Sequence, residues 1–186
     1  GPIVIDIPDA EKAFAAGNVD IRVETDAKQA YPCTVAMECR SRKPDSSADC
    51  PIRLETTLNK AEAAEGDTVR LAVKVRNTKE KKNGMVTAIV GIPAGLKVPE
   101  DLKQLKLLTD RPADGKRPTV SYWEKRGREL VFYWHGLNEG EAVEFGVDLI
   151  ADIPGDYVGP AGRAYLYYGA EHKHWTDPVK VKVTAR

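Results

Sequence analysis

Short runs in which apolar and polar residues alternate fill most of this chain. Leu71, Val73 and Val75 stand opposite Lys74 and Arg76, and Val179, Val181 and Val183 stand opposite Lys180, Lys182 and Thr184. A period of two gives each run one face for a core and one for water, the signature of half-buried antiparallel sheet. The same reading predicts strands over 3–7, 19–25, 33–39, 52–58, 68–76, 85–92, 119–123, 130–135, 142–151, 163–168 and 179–184. Residues 85–92 are apolar on both faces and read as a central strand. Tyr122-Trp123 and Leu130-Val131-Phe132 flank a charged segment containing Gly127 and read as a hairpin. Asp152-Ile153-Pro154-Gly155 breaks the chain between the strand at 142–151 and the tyrosine-rich strand at 163–168.

One segment departs from this period. From Pro99 to Leu108, proline precedes two acids, and Leu102, Leu105 and Leu108 recur at helical spacing, which predicts one short amphipathic helix. Asp9 to Ala16 is a weaker helical candidate ending at Gly17-Asn18. Arg40 to Pro51 is polar and turn-forming throughout and marks a boundary. The segment after it holds about eight strands, enough for a closed sandwich core, whereas the segment before it holds about three, too few without a partner sheet. The fold class is therefore all-β, an antiparallel sandwich with one short helix, preceded by extra strands.

Composition narrows the function. Of 186 residues, 42% are hydrophobic, enough for a core, and 28 basic against 28 acidic residues leave no net charge to favour nucleic acid or an anionic membrane. No apolar run approaches the ~20 residues of a membrane span. Gly1-Pro2 reads as the scar of a cleaved expression tag, so the chain is expected to be a trimmed piece. Cys33, Cys39 and Cys50 show neither metal-knuckle nor redox spacing. Cys33 and Cys39 lie roughly 20 Å apart on a regular strand and cannot bond to each other, but either can meet Cys50 across a turn. Cys39 with Cys50 is the candidate disulfide.

Catalytic chemistry is thin. Glu171, His172 and His174, with His135 elsewhere, are the best metal-like set, but the pair lies at an expected turn and nothing fixes His135 near it, so they read as turn histidines. Ser41, Ser46, Ser47 and Ser121 sit in no nucleophile elbow, and no glycine-rich phosphate loop occurs. No metal and no cofactor is expected. Tyr122, Trp123, Tyr133, Trp134, Tyr165, Tyr167, Tyr168 and Trp175 allow an alternative, a carbohydrate- or peptide-binding sandwich of a secreted protein. Its discriminator is facing: Tyr165 and Tyr167 are expected to point into the core, and an exposed planar row would favour a ligand. A plain structural spacer is the third reading.

The order of Gly84-Met85-Val86 to Ile92-Pro93-Ala94-Gly95-Leu96, the helix at 99–108, Asp148-Leu149-Ile150-Ala151 with Pro154-Gly155, and Ala164-Tyr165-Leu166-Tyr167-Tyr168 resembles the C-terminal receptor-binding domain of α2-macroglobulin-like proteins, in their bacterial form. The resemblance covers residues 52–186. It implies that 44–51 is a linker and 1–43 the trailing strands of an incomplete CUB domain. It also implies a secreted or periplasmic parent that traps proteases and acylates them through a thioester. The family's reactive run is Cys-Gly-Glu-Gln; here Cys33 precedes Thr34, Cys39 precedes Arg40 and Cys50 precedes Pro51, so the chain would be a non-catalytic module. Its partners would be the parent's other domains, target proteases through the parent, and a receptor of unknown identity. In animal members two helix lysines bind that receptor; Lys103 and Lys106 match them, at a spacing of three rather than four. Solubilising residues on an amphipathic helix are the plainer reading of this pair.

Overall fold

The computed structural model describes residues 4–9, 12, 14, 20–26, 28–36 and 41–186. The chain divides into two units, Gly1–Cys39 and Arg40–Arg186.

In the second unit the strands are β1 (Ile52–Leu58), β2 (Glu62–Ala64), β3 (Thr68–Asn77), β4 (Val86–Gly91), β5 (Leu96–Lys97), β6 (Tyr122–Arg126), β7 (Glu129–Trp134), β8 (Ala142–Ala151), β9 (Gly155–Val158), β10 (Arg163–Leu166), β11 (His174–Trp175) and β12 (Lys180–Thr184). The helix α1 (Lys103–Thr109) lies between β5 and β6. One sheet has the order β1-β3-β8-β5 and another β11-β10-β4-β7-β6; a third, β2-β12-β9, includes the parallel pair β2–β12. This is an antiparallel β-sandwich with one short helix.

The alternation seen in the sequence sets which side chains meet. Leu71, Val73 and Val75 of β3, Val147 and Leu149 of β8, and Leu130, Phe132 and Trp134 of β7 are buried in one core. Phe145 meets Phe132 edge-to-face at 4.8 Å, an arrangement that aligns the ring quadrupoles. β4 is buried on both faces and central in its sheet, as its unbroken apolar run predicts. β6 and β7 form the expected hairpin, turning at Gly127-Arg128 with Gly127 at φ 56°, the positive value that a two-residue hairpin turn requires. Gly91 permits a different contact: a Cβ there would lie 2.1 Å from the Pro160 carbonyl oxygen. Asn77, fully buried at the end of β3, donates Nδ2–H to Lys81 O and Asn138 O (both 2.8 Å) and accepts from Lys79 N–H (2.9 Å), tying two loops together.

Two expectations change. The strands expected ahead of the sandwich are not formed by the described residues of 3–7, 19–25 and 33–39; Val4, Ile5, Ile21, Val23 and Val35 are exposed there. Alternation says which face a strand would bury but does not supply the neighbouring strand that pairs its backbone. The helix also begins at Lys103, four residues after Pro99, because Leu102 takes a left-handed conformation (φ 51°, ψ 13°) and closes a separate turn back to Pro99. Of the weaker candidate at 9–16, most residues lie outside the described set; Lys12 N–H donates to Asp9 O at 2.8 Å.

Candidate functional site

Helix α1 is held on the sandwich by one face. Leu105 is fully buried, and Leu102 and Leu108 pack beside it against the core. Gln104 adds a polar clamp: its Nε2–H donates to Asp148 O and its Oε1 accepts from Asp148 N–H, both at 2.7 Å. The position explains the need. β5 pairs with β8 only at Leu96↔Ala151 and Lys97↔Ile150, and Pro99, which continues that lane, has no N–H to offer. The Gln104 amide takes the place of the missing strand residue.

The opposite face of α1 carries Lys103, Lys106 and Leu107, all exposed, with Leu107 68% accessible. Lys103 Nζ lies 3.5 Å from Asp101, whose carboxylate also accepts from the Lys103 N–H (3.2 Å). Among the described residues Lys106 has no ion-pair partner. The structure therefore brings the two lysines onto one outward face with an apolar side chain beside them.

The histidine string is dispersed. His172 Nδ1 lies 3.1 Å from Ser47 Oγ, while His174, in β11 rather than a turn, accepts the Leu54 N–H of β1 on Nδ1 at 3.1 Å. Burial first, then Arg53, hold the His174 imidazole below its usual pKa against the opposing pull of Glu55, with Lys43 adding a lesser push in the same direction as Arg53. Among the described residues no three His, Cys, Asp or Glu side chains converge as metal ligands. Cys50 is a free, buried thiol near Ile52 O (3.3 Å) and Ala164 O (3.5 Å); Cys33 is free and exposed, and Cys39 lies outside the described residues.

The tyrosines correct a further expectation. Tyr165 pairs with Thr87 while its neighbours Ala164 and Leu166 face the core, so Tyr165 lies on the outer face of the five-stranded sheet. Tyr167 and Tyr168 are exposed. That outer face is polar and interlocked. Arg163 binds Glu129 through both terminal guanidinium nitrogens (2.6 and 3.2 Å) and stacks on Trp175, and the Lys173 ammonium sits over the Tyr165 ring. Tyr133 donates to Glu124, which Arg126 also binds. Burial and then this bond push the Tyr133 phenol up to about 12, and the same bond lowers the Glu124 carboxyl. Thr87 Oγ1 is buried among these groups without a hydrogen-bond partner. The rings do not form a flat platform: Tyr122 and Tyr133 are inclined at 33°, Tyr167 and Tyr168 at 79°.

The architecture has solved counterparts. Over 75% of this chain it superposes on a native Escherichia coli alpha-2-macroglobulin structure spanning domain MG7 to the C-terminus (TM-score 0.56, 15% identity, 25% of that chain). The Salmonella alpha-2-macroglobulin reacted with methylamine matches over 75% of this chain and 10% of its own (TM-score 0.54, 16% identity). The protein has a bacterial alpha-2-macroglobulin fold. Native E. coli alpha-2-macroglobulin matches in the same way (TM-score 0.55, 15% identity, 76% of this chain and 10% of that chain), so the chain spans about a tenth of the length of these proteins. No family model and no curated protein sequence matches it. Within this macroglobulin fold, sequence reading missed Gln104 altogether and misjudged His174, each of which satisfies the backbone of a distant strand. The proline in the β5 lane, which sequence reading used only as a helix start, is the signal that could have led to Gln104. No helix among the described residues is long and apolar enough to cross a membrane.

Proposed function

We propose that this chain is part of an alpha-2-macroglobulin-like, protease-trapping inhibitor, and that residues 52–186 act there as a non-catalytic interaction module, repositioned or exposed when the parent's bait segment is cut. The observation that carries this reading is the shared architecture with the E. coli segment from MG7 to the C-terminus. Residues 1–43 are then the trailing segment of a CUB-type domain, 44–51 a linker, and the compartment is extracytoplasmic. The module's partners are neighbouring domains of the parent, with proteases engaged through the parent. The outward face of α1, with Lys103 and Lys106, is its contact surface, since two cations one turn apart suit an acidic pocket. The mechanism is a change of interface between two packed states rather than active-site chemistry.

The deciding experiment uses the parent protein from its native source, identified by peptides of this segment. Its mass and sedimentation are measured before and after methylamine and trypsin. A discrete bait cleavage, a change in sedimentation and retained trypsin are expected. Trypsin digestion without retained protease, or a parent scarcely longer than this chain, overturns the reading.

A further inference from the structure

The backbone of β8 is paired along its whole length on one side and along only part of it on the other. β3 runs beside all nine positions from Ala142 to Ile150 in unbroken register. Asn77 N–H donates to Glu141 O, and Gly66 N–H donates to Ala151 O, so odd-numbered residues of β8 turn their N–H and C=O groups toward β3. Even-numbered residues face away: Ile150 meets β5, and Asp148 meets Gln104. Ala142, Glu144 and Gly146 face the same way, and among the described residues nothing pairs their outward amides and carbonyls.

Protein edges of this kind are ordinarily blunted by a proline, a bulge, a lysine or a covering element. Two other outward positions in this molecule follow that practice. His174 covers Leu54 on β1, and the Gln104 amide covers Asp148. Along Ala142–Val147 there is no proline, no bulge and no basic residue. The vacant lane is about six residues, or ~20 Å, long and ends where α1 begins.

Side chains beside the lane state what would fill it. On the core side, Val143 and Phe145 are only partly covered, and Trp123 lies in the facing sheet beside Phe132, the residue that Phe145 meets. On the outer side, the strand offers Glu144 and Asp148, whose cations Lys74 and Arg70 both come from β3, the neighbour away from the lane. An occupant therefore needs an extended backbone, apolar residues opposite Val143 and Phe145, and a basic residue opposite Glu144. We propose that the open edge of β8 is a strand-addition site for an extended, basic and apolar segment of a partner protein, which runs antiparallel to β8 in the lane that β5 leaves. A second copy of this chain fits less well, because pairing β8 with itself brings two strands together whose only charged residues are acidic. The assignment does not depend on the inhibitor reading.

The probe is a fluorescein-labelled, blocked peptide of sequence Thr-Val-Lys-Val-Lys-Val-Thr, titrated into the full 186-residue chain by anisotropy and by amide NMR. Saturable binding is expected, with shifts centred on Ala142–Val147 and slowed exchange of the Glu144 and Gly146 amides. A peptide with glutamates for lysines, one N-methylated on the amides facing β8, and the Glu144→Pro variant should each bind at least about tenfold more weakly. Proline at 144 removes an outward N–H and leaves the β3 ladder its donors; should that variant not fold, the N-methylated peptide alone decides. Equal binding of the N-methylated peptide, shifts that map to another surface, or no saturable binding overturns the proposal. So does a concentration-dependent dimer of the free chain that the Glu144→Pro variant abolishes, which would give the edge to a second copy.

Discussion

Leu54 donates its N–H to the imidazole Nδ1 of His174, so this ring must keep Nδ1 unprotonated for the contact to hold. Burial and the nearby cations Arg53 and Lys43 oppose its protonation in the folded chain. The unfolded chain takes up that proton near the ordinary histidine value of about 6.5, and the folded chain only at lower pH. Stability is thus intact above about 6.5, falls as pH drops from there toward the folded value, and levels off below it. Urea midpoints measured at about pH 7.5 and about pH 5 should show this loss, and His174→Gln, which keeps an acceptor but cannot titrate, should reduce it. A midpoint for His174→Gln with the same pH slope as the parent chain would remove the ring from this role. Sequence reading took His172 and His174 together because they are two apart. A strand places such residues on the same face, yet the ring positions depend on Ser47 and Leu54, more than a hundred residues away. Tyr165 was misassigned for a related reason: an apolar–aromatic run has two candidate inner faces, and the register against β4 chooses Ala164 and Leu166.

At the level of elements, the leucine spacing located α1, but Leu102 in a left-handed conformation delayed its start. Nothing in an ordinary leucine announces that geometry, because such residues seldom adopt it. Gln104 is the element's most exacting contact. Gln104→Ala removes two hydrogen bonds and leaves the Asp148 backbone unpaired beneath the helix, an expected loss of about 1–3 kcal/mol in chemical denaturation. Faster amide exchange in α1 should accompany it, since the helix loses its tie to β8 while keeping Leu105. An unchanged denaturation midpoint would mean that water replaces the clamp without cost. The same comparison separates the helix's two faces: substitution of Lys103 or Lys106, exposed and outside the clamp, should leave stability nearly unchanged, within about 0.5 kcal/mol.

For the whole molecule, the proposed function predicts that this chain at equimolar ratio neither slows trypsin on a small substrate nor cleaves a protein substrate by itself, as a progress curve would show. Stoichiometric inhibition would return the trapping chemistry to these residues. The long strands β1, β3 and β8 were legible from alternation, since a side-chain period of two writes the buried face directly into the chain, while β4 and β7 were legible as apolar runs. The short ones were not: β2, β5, β9 and β11 hold two to four residues each, too few for a period to register. The sequence by itself determined an all-β sandwich with one helix, because local alternation and turn formers are properties of neighbours along the chain. Only the tertiary structure decided which strands pair, that β2 runs parallel to β12, that the first unit's described residues form no strand, and that half of β8 stays open. Each of those depends on a backbone partner distant in sequence, and the alternation of one strand does not name the strand that will lie beside it.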